Sequence, residues 1–484
     1  MHKSTWLLTS LATLGLLLAA CSPSTGTPSA DAGSAVNPTS DSTSVALPPG
    51  SKILRTSFLS GDVPTLDPAL AEDSSSIQIL QETMVGLTHL NEVTNALEPG
   101  MATTWDIVDN ADGTQTITFH LRNDISWVRW NGDAVETVKG CDGTTDRKVT
   151  AQDFAYGIYR NLLPANASPY AYLLGFVLKG ASEFNNGTTT DFSTVGVKVV
   201  DDQTLELTFL SPVAYNAQIA GLWVAYPSPK WIIEGDCDGA VEARGERWTE
   251  PGFNQGYGPF VLRDWIHDSE LEIVRNPFWP GSPEIPQAKL DGVHFLMLDE
   301  PAQLAEYEAG NLDNERDVPL SDLDRIKVDP VLGPEFSIAP QLCTYTYAFN
   351  STAPFVDDAR VRRALSMAVD RKALIDNVTK GEQQPAQWFS RPGLAAAPTM
   401  DDHPDLGIKY DPVGAKAELQ SYLDEKGLKA EDLDITLMYN TSSAHGAIAQ
   451  AVQGMWADTL GVKVKLVNQE FAVFLETTKS LNTP

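Results

Sequence analysis

The chain begins with a short apolar run and a long low-complexity tract, and these two segments decide where folding can start. Lys3 precedes the apolar residues 6–20, which end in small side chains, as in a secretory signal peptide. Residues 22–50 are almost entirely Ser, Thr, Pro, Gly, Ala and Asp, so they bury too little apolar surface to offset their ordering entropy. The sequence therefore predicts a signal peptide over residues 1–20, a flexible linker over residues 21–51 and a folded region from Lys52 onward.

The predicted signal peptide ends in a motif that concerns membrane attachment. Leu18-Ala19-Ala20-Cys21 resembles a bacterial lipobox, in which Cys21 is lipidated and becomes the first residue of the mature protein. An ordinary signal peptide with an incidental cysteine is the alternative. No second apolar run in the sequence approaches membrane-spanning length. We therefore expect an extracytoplasmic protein that is anchored to a membrane by lipid rather than threaded through it.

The composition is that of a globular protein with a large acidic excess. At 484 residues the chain is too long for one ordinary core, so we expect two or three domains. Its 34 basic and 64 acidic residues give a net charge of −30, which repels nucleic acid and anionic lipid and excludes both as partners. We interpret the acidity as a source of solubility rather than of substrate choice.

Strand-type and helix-type patterns are mixed along the folded chain without an internal repeat, which indicates an α/β or α+β class. Strands are predicted over residues 53–58, 114–121, 435–439 and 462–467, with a strand pair over residues 195–209 hinged on Asp201-Asp202 and another around 257–275. Helices are predicted over residues 77–84, 301–309, 412–425 and 447–460, and from Thr150 in capping-box style.

One stretch shows both patterns in succession. Residues 343–350 alternate with a period of two and are rich in Thr and aromatics, which predicts a half-buried strand. A helix is predicted to follow from Asp357 or Asp358, whose carboxylates are good N-caps, and to close at Gly381. Its apolar face is expected to contain Val361, Ala364, Leu365, Ala368 and Val369.

Ten short motifs follow one another between Lys52 and the end of the chain. They are Thr65-Leu-Asp-Pro68, Thr118-Phe-His-Leu-Arg122 with Trp127, Val149-Thr-Ala-Gln-Asp-Phe154, Ala167-Ser-Pro-Tyr170, Arg247-Trp-Thr-Glu-Pro251, Gly258-Pro-Phe260, Leu342-Cys-Thr-Tyr345, Arg360-Val-Arg-Arg-Ala-Leu365, Tyr439-Asn-Thr-Ser442 and Leu460-Gly-Val-Lys-Val-Lys-Leu-Val-Asn-Gln-Glu470. Each motif is weak alone. In this order, and behind a lipobox, they resemble the peptide-binding members of the extracellular solute-binding proteins that serve ABC transporters.

The resemblance implies an α/β, periplasmic-binding-protein-like fold with two lobes that close on a peptide. Lobe I would combine residues 52–84 with residues 230–342, and a smaller domain over residues 85–229 would be inserted into it, which makes three domains. Lobe II would begin at Cys343 and run to residue 484. The family's chain continues further, so we expect lobe II to be incomplete in a truncated chain; a natural short variant is the rival interpretation.

The resemblance also implies which residues contact the ligand. Strand-like addition of a peptide supplies affinity through its backbone, while its charged ends need an acidic residue and a cationic one. The matching positions here are Glu72, Ser74, Tyr170, Asp317, Thr346 and His445. The alternatives are a solvated loop carboxylate for Glu72, a packing wedge for Tyr170 and a surface cap for His445. The family's carboxylate-binding lysine falls at Thr379, beside Lys380, and its amine-binding aspartate would lie beyond Pro484.

Beyond Cys21 the cysteines are Cys141, Cys237 and Cys343, an odd number for an extracellular setting. Cys141 and Cys237, each followed by Asp-Gly, are a possible disulfide, although the sequence does not give their distance. The resemblance implies a partner for Cys343 beyond the end of this chain. The Asp-rich turns at residues 141–146 and 236–239 lack the spacing and final Glu of an EF-hand, so ordinary turns are favoured over Ca²⁺ sites and no metal or cofactor is expected.

Three classes of function compete. A monomeric binding module would capture oligopeptides and deliver them to the permease and ATPase subunits of an ABC transporter, with lobe closure as its working motion. An extracellular hydrolase is disfavoured, because the sequence contains no Gly-x-Ser-x-Gly and no His-Glu-x-x-His. A nucleotide loop is also absent, so any ATPase must be a partner. A peptide sensor or adhesin is the third class. Within the first class, nickel complexes, oligosaccharides and other small solutes are rival ligands.

Overall fold

The computed structural model describes residues 48–59, 61–394, 397–399, 401–479 and 483. The predicted signal peptide, Cys21 and most of the predicted linker lie outside these described residues. Across the part of the chain that is described, no helix combines the length and the apolar character needed to cross a bilayer. We call the described residues up to 342 the amino-terminal region and those from 343 onward the carboxy-terminal region.

The strands are β1 (Ile53–Leu59), β2 (Thr88–Leu90), β3 (Leu97–Pro99), β4 (Ala102–Asp109), β5 (Gln115–Leu121), β6 (Val128–Trp130), β7 (Val135–Thr137), β8 (Val197–Asp201), β9 (Thr204–Phe209), β10 (Phe260–Ile266), β11 (Glu270–Arg275), β12 (Gly292–Leu298), β13 (Thr436–Asn440) and β14 (Lys465–Gln469). The α-helices are α1 (Ser74–Thr83), α2 (Ala151–Leu162), α3 (Ala171–Val177), α4 (Ala181–Asn185), α5 (Asn216–Ile219), α6 (Lys230–Glu234), α7 (Glu300–Glu308), α8 (Leu323–Val328), α9 (Leu332–Glu335), α10 (Ala359–Met367), α11 (Arg371–Leu374), α12 (Pro412–Lys426), α13 (Ser443–Leu460) and α14 (Phe471–Lys479).

The first large sheet has the strand order β1-β12-β11-β10. Strand β1 lies parallel to β12, with Ile53 opposite Gly292, whereas β12, β11 and β10 pair antiparallel. One face of this sheet is apolar and buried, and the Phe58 and Phe295 rings stack on it with centroids 4.5 Å apart. The sheet therefore ties the start of the folded chain to a strand more than two hundred residues later, directly before α7.

The second large sheet is antiparallel, with the order β4-β5-β9-β8. Burial alternates along β5 and β9, as the period-two pattern predicts. The turn between β8 and β9 is Asp202-Gln203, one residue after the predicted hinge. Helix α2 contributes Phe154, Ile158 and Leu162 to the same hydrophobic cluster as this sheet. That cluster reaches from Ala71 to Trp279, so it crosses the predicted boundaries of the inserted domain; the number of domains remains a prediction.

The carboxy-terminal region has its own hydrophobic cluster, built from α10, α12 and α13 with the parallel pair β13-β14. Helix α10 begins as predicted, because the Asp358 carboxylate accepts a hydrogen bond from the Arg360 N–H at 2.8 Å. The predicted apolar face is buried at Val361, Ala364, Leu365 and Ala368.

Two expectations for this region are wrong. Residues 343–350 form no strand, and most of their side chains are exposed. An alternating pattern shows that a segment could form a strand with one buried face, but a strand also needs a partner. In the described part of the chain, no neighbouring backbone pairs with residues 343–350. The helix from Asp358 does not run to Gly381: it ends at Met367, and Asp370 caps a new helix, α11, by accepting from the Ala373 N–H.

Candidate functional site

The first group of predicted contact residues gathers at the start of α1. Glu72 lies directly before Asp73, the N-cap of α1, and its carboxylate pairs with the Lys479 ammonium of α14 at 2.6 Å. Burial alone would lower the pKa of Lys479, but hydrogen bonds to Glu476 and Glu72 raise it above its usual value. Ser74 is the exposed first residue of α1. A carboxylate and an ammonium are thus held together where α14 meets the amino-terminal region.

Tyr170 belongs to this group. Its ring stacks on Tyr172 at 5.5 Å and meets the edge of Trp223 at 5.3 Å. Trp223 in turn donates a hydrogen bond from Nε1 to the carbonyl of Ala71 at 2.9 Å, directly before Glu72. Burial, Tyr172 and the Glu72 carboxylate all raise the pKa of Tyr170, so its hydroxyl stays neutral. A neutral hydroxyl can both donate to and accept from a ligand.

The second group surrounds the start of α13. Its N-cap is Ser442, and His445 lies in the first turn. The His445 ring is partly buried: Nδ1 lies 2.7 Å from Oδ1 of Asn440, and the Tyr345 ring centroid is 5.6 Å away. The hydrogen bond to Asn440 fixes the ring, which leaves Nε2 as the atom that can meet another group. Thr346, adjacent to Tyr345, is exposed.

Asp317 of the amino-terminal region interacts electrostatically with His445 of this second group. Burial raises the pKa of Asp317, Arg316 and His445 oppose that rise, and the carboxylate of Glu300 adds to it. Its neighbour Glu315 is perturbed further, because burial and then Asp317, Glu308 and Asp322 raise its pKa to about 7. Acidic groups are therefore concentrated on the amino-terminal side, with an imidazole opposite them.

Helix α1 connects the two groups. Arg316, next to Asp317, donates a hydrogen bond to Oε1 of Gln78 at 2.7 Å, one turn after Ser74. The structure thus brings Glu72 and Ser74 into one neighbourhood with Tyr170, and Asp317 into another with His445. Among the described residues, Thr346 forms no hydrogen bond with a side chain of either group. Beside Thr379, the position expected for the family's lysine, Lys380 pairs with Asp324 of α8.

The structure joins Cys141 and Cys237 in a disulfide with their Cα atoms 5.2 Å apart. The adjacent Asp236 pairs with Arg147 at 2.6 Å. Cys141, Cys237 and Asp236 come close enough together to suggest a cation site, but the two sulfurs are bonded to each other and the carboxylate has a cation partner. Cys343 is exposed and lies outside this disulfide.

Sequence reasoning missed two residues that belong to these groups. Glu300 lies in Asp299-Glu300-Pro301, a pattern that is typical of a helix start. Nothing in this pattern indicates that the Glu300 carboxylate bonds to the start of another helix. Lys479 lies near the end of the chain, and nothing in the sequence links it to Glu72. A lysine in the last turn of a helix is ordinarily attributed to the helix dipole.

The comparisons with known proteins agree on one family. The model of the bacterial extracellular solute-binding proteins, family 5, matches residues 96–484. The oligopeptide-binding protein OppA of Bacillus subtilis is 34% identical over 424 residues, which cover 85% of this chain and 70% of that protein. The periplasmic oligopeptide-binding protein OppA of Escherichia coli K12 is 31% identical over 421 residues, with 86% and 70% covered.

Solved structures confirm the predicted α/β, periplasmic-binding-protein-like fold. The murein tripeptide-binding protein MppA of Escherichia coli superposes with a TM-score of 0.75 at 29% identity, over 90% of this chain and 78% of that one. Its unliganded open form gives a TM-score of only 0.52 at 28% identity, over 89% and 77%. Proteins of this family bind solutes and are not enzymes, in agreement with the prediction. This chain belongs to the bacterial extracellular solute-binding proteins of family 5.

Proposed function

We propose that the protein captures oligopeptides between its amino-terminal and carboxy-terminal regions, as lobes I and II, and delivers them to an ABC transporter. The observation that carries this proposal is the placement of charges of both signs along the boundary between the regions. The Asp317 carboxylate suits a peptide's amine, and His445 suits its carboxylate when protonated. The ion pair of Glu72 with Lys479 places a further charge of each sign at the boundary. Relatives named for binding oligopeptides support the same ligand class.

The site combines features that a general peptide receptor needs. Tyr170 offers a hydroxyl and a ring face, and Tyr345 lines the side next to His445, so side chains of different size meet aromatic surface rather than a fixed pocket. Exposed Ser74 and Thr346 add hydroxyls that water can bridge. The residues beyond Glu72 and His445 thus favour tolerance of the peptide's sequence.

The location and partners are part of the proposal. Lipidation at Cys21 would hold the protein on the extracytoplasmic side of the membrane, with residues 21–51 as a tether that lets the monomer reach the permease and its ATPase subunits. Replacing Cys21 by Ser should move the protein from the membrane fraction to the soluble fraction. A Cys21→Ser variant that stays in the membrane fraction would refute the anchor without affecting the ligand assignment.

Native mass spectrometry of the purified protein, followed by calorimetry with the peptides that it carries, tests the ligand class. We expect a mixture of short peptides. His445→Ala should weaken their binding by about 10- to 100-fold, because a hydrogen bond to a charged group contributes about 1.5–3 kcal/mol. His403→Ala, which removes an exposed histidine outside both groups, is the matched control. A co-purified nickel complex or oligosaccharide, with no binding of any peptide, would refute peptide capture.

A further inference from the structure

Glu300 connects the two regions through a buried carboxylate. It is the first residue of α7 in the amino-terminal region and is only 3% exposed. Its Oε1 accepts a hydrogen bond from the Ser442 hydroxyl at 2.6 Å and a longer one from the Ala444 N–H at 3.5 Å, while Oε2 accepts from the Ser443 N–H at 3.3 Å. All three donors belong to the start of α13 in the carboxy-terminal region.

Helix α7 does not need this carboxylate for its own start. Asp299 is the N-cap of α7 and accepts from the Ala302 N–H at 2.9 Å, so Glu300 is free to face outward. Helix α13 is 18 residues long, and its free N–H groups and dipole favour an anion at this end. No lysine or arginine of the described residues forms an ion pair with Glu300. Its charge is therefore stabilised by α13 itself.

The contact leads directly to the candidate site. The Ser442 hydroxyl that donates to Glu300 also accepts a hydrogen bond from the His445 N–H at 3.3 Å. Glu300, Ser442 and His445 thus form a chain of hydrogen bonds from the amino-terminal region to a predicted ligand contact. Any movement of α13 away from α7 breaks the first link and displaces the turn that carries His445.

The ion pairs that cross the boundary in the described part of the chain are more exposed than Glu300. Lys380 and Asp324 have side chains 29% and 71% exposed, and Lys479 and Glu72 have side chains 41% and 18% exposed. Exposed pairs contribute little to stability, since water and salt screen them. The present arrangement also differs from the open form of the relative described above, whose TM-score is 0.52 against 0.75 for the other structure of that protein. Among the residues that the structure describes, Glu300 is thus the most buried charged contact between the regions.

We propose that Glu300 is a positioning residue for ligand binding: it caps α13 across the boundary when the regions close, holds the turn of His445 in place and stabilises the closed arrangement. This inference rests on the proposed peptide-binding function. When the regions open, the Glu300 carboxylate and the donors of α13 bond to water instead of to each other. The contact therefore stabilises the closed arrangement only by the free-energy difference between these two sets of hydrogen bonds. A ligand that needs His445 is then bound most tightly when the cap is formed.

Peptide binding measured on the full chain gives the first test. With a peptide that co-purifies with the wild type, Glu300→Ala should raise Kd about 10- to 30-fold and Glu300→Gln, which keeps the shape but loses the charge, about 3- to 10-fold. The loss should lie in faster dissociation, with association changed less than about threefold. Glu306→Gln on the same helix is the matched control and should leave Kd unchanged, because its side chain bonds Asn311 within the amino-terminal region. In a double-mutant cycle, Glu300→Ala should cost less in a Ser442→Ala background.

Distances between spin labels give a second test that does not depend on peptide affinity. Labels are placed at the exposed Ala305 of α7 and the exposed Gln450 of α13, with Cys21 and Cys343 replaced by Ser. We expect the short-distance fraction to be smaller in Glu300→Ala than in wild type, both without peptide and at saturating peptide. Equal fractions, additive effects of Glu300 and Ser442, or Kd values within twofold of wild type would overturn the inference. A third outcome separates the two proposals: the wild type binds no peptide, but its short-distance fraction is still larger than that of Glu300→Ala. The proposed peptide binding would then be refuted, and the role of Glu300 in holding the two regions together would be supported.

Discussion

The ion pair between Asp67 and Arg160 offers the sharpest test of how the amino-terminal region is held together. The two carboxylate oxygens of Asp67 accept hydrogen bonds from the Arg160 guanidinium at 2.8 and 2.7 Å, and the side chains are only 3% and 9% exposed. Oδ2 of Asp67 also accepts from Nε1 of the fully buried Trp248 at 3.1 Å, and Oδ1 accepts from the Ala69 N–H at 3.0 Å. Asp67 is the aspartate of Thr65-Leu-Asp-Pro68, so this network explains one motif of the sequence.

Replacing Asp67 by Ala should destabilise the protein by about 3–5 kcal/mol, because it leaves a buried guanidinium without its counter-charge. Burial would lower the pKa of Arg160, but Asp67 and the other partners raise it, so the guanidinium is charged in the wild type. An arginine does not readily lose its proton, so in the variant the buried charge remains. The indole N–H of Trp248 also loses its acceptor. The double variant Asp67→Leu/Arg160→Met should recover part of the loss, since no buried charge is left unpaired.

Urea unfolding followed by tryptophan fluorescence measures this effect on the free energy of unfolding. The matched control is Glu418→Ala, which removes the partner of Arg363 on the surface of the carboxy-terminal region. Those side chains are 30% and 45% exposed, so the control should cost at most about 1 kcal/mol. If Asp67→Ala costs no more than Glu418→Ala, the buried pair does not stabilise the fold and the reasoning is refuted.

Three further predictions follow from the structure. Glu315→Gln should stabilise the protein by about 1 kcal/mol at pH 8 and not at pH 4. The pKa of the folded carboxyl, about 7, lies above its unfolded value, so the protein loses stability as pH rises between those two values. Partial exposure of the side chain reduces the full linkage value of about 3 kcal/mol. Urea titrations at both pH values check this, and equal effects at pH 4 and pH 8 would contradict it. Cys141→Ser/Cys237→Ser should lose about 3–4 kcal/mol in the same assay, because the bond closes a chain segment with a sequence separation of 96, whereas Cys343→Ser should change little. Leu365→Ala, at a site only 1% exposed, should lower the free energy of unfolding by about 2–5 kcal/mol. A loss below about 1 kcal/mol would mean that the hydrophobic cluster of the carboxy-terminal region relaxes to fill the cavity.

Much of the local structure follows from short-range patterns. Asp358 starts α10 because an N-cap needs only a carboxylate within reach of the next N–H groups. Thr150 and Asp153 start α2 for the same reason, with the Asp153 carboxylate accepting from the Thr150 N–H at 2.9 Å. Alternation along β5 predicts its burial because side-chain direction reverses at each residue. These interactions span at most four residues, so the sequence contains both partners in one window.

The candidate site could be predicted only by resemblance, residue by residue. The structure places Glu72 near Tyr170 and Asp317 near His445, yet no pattern within the sequence joins residues so far apart. The failed strand at residues 343–350 shows the converse: its alternation is real, but a strand also needs a partner backbone, which a local pattern cannot supply.

The amino-acid sequence by itself determined the starts of α2 and α10, the alternating strands and the family to which the chain belongs. The tertiary structure alone decided that β1 pairs with β12, that Lys479 meets Glu72 and that Glu300 caps α13. The physical reason is that each of these contacts joins segments far apart in the chain. Their formation depends on the packing of the whole hydrophobic core, which brings the ends together and offsets the loop-closure entropy, and not on the residues beside them.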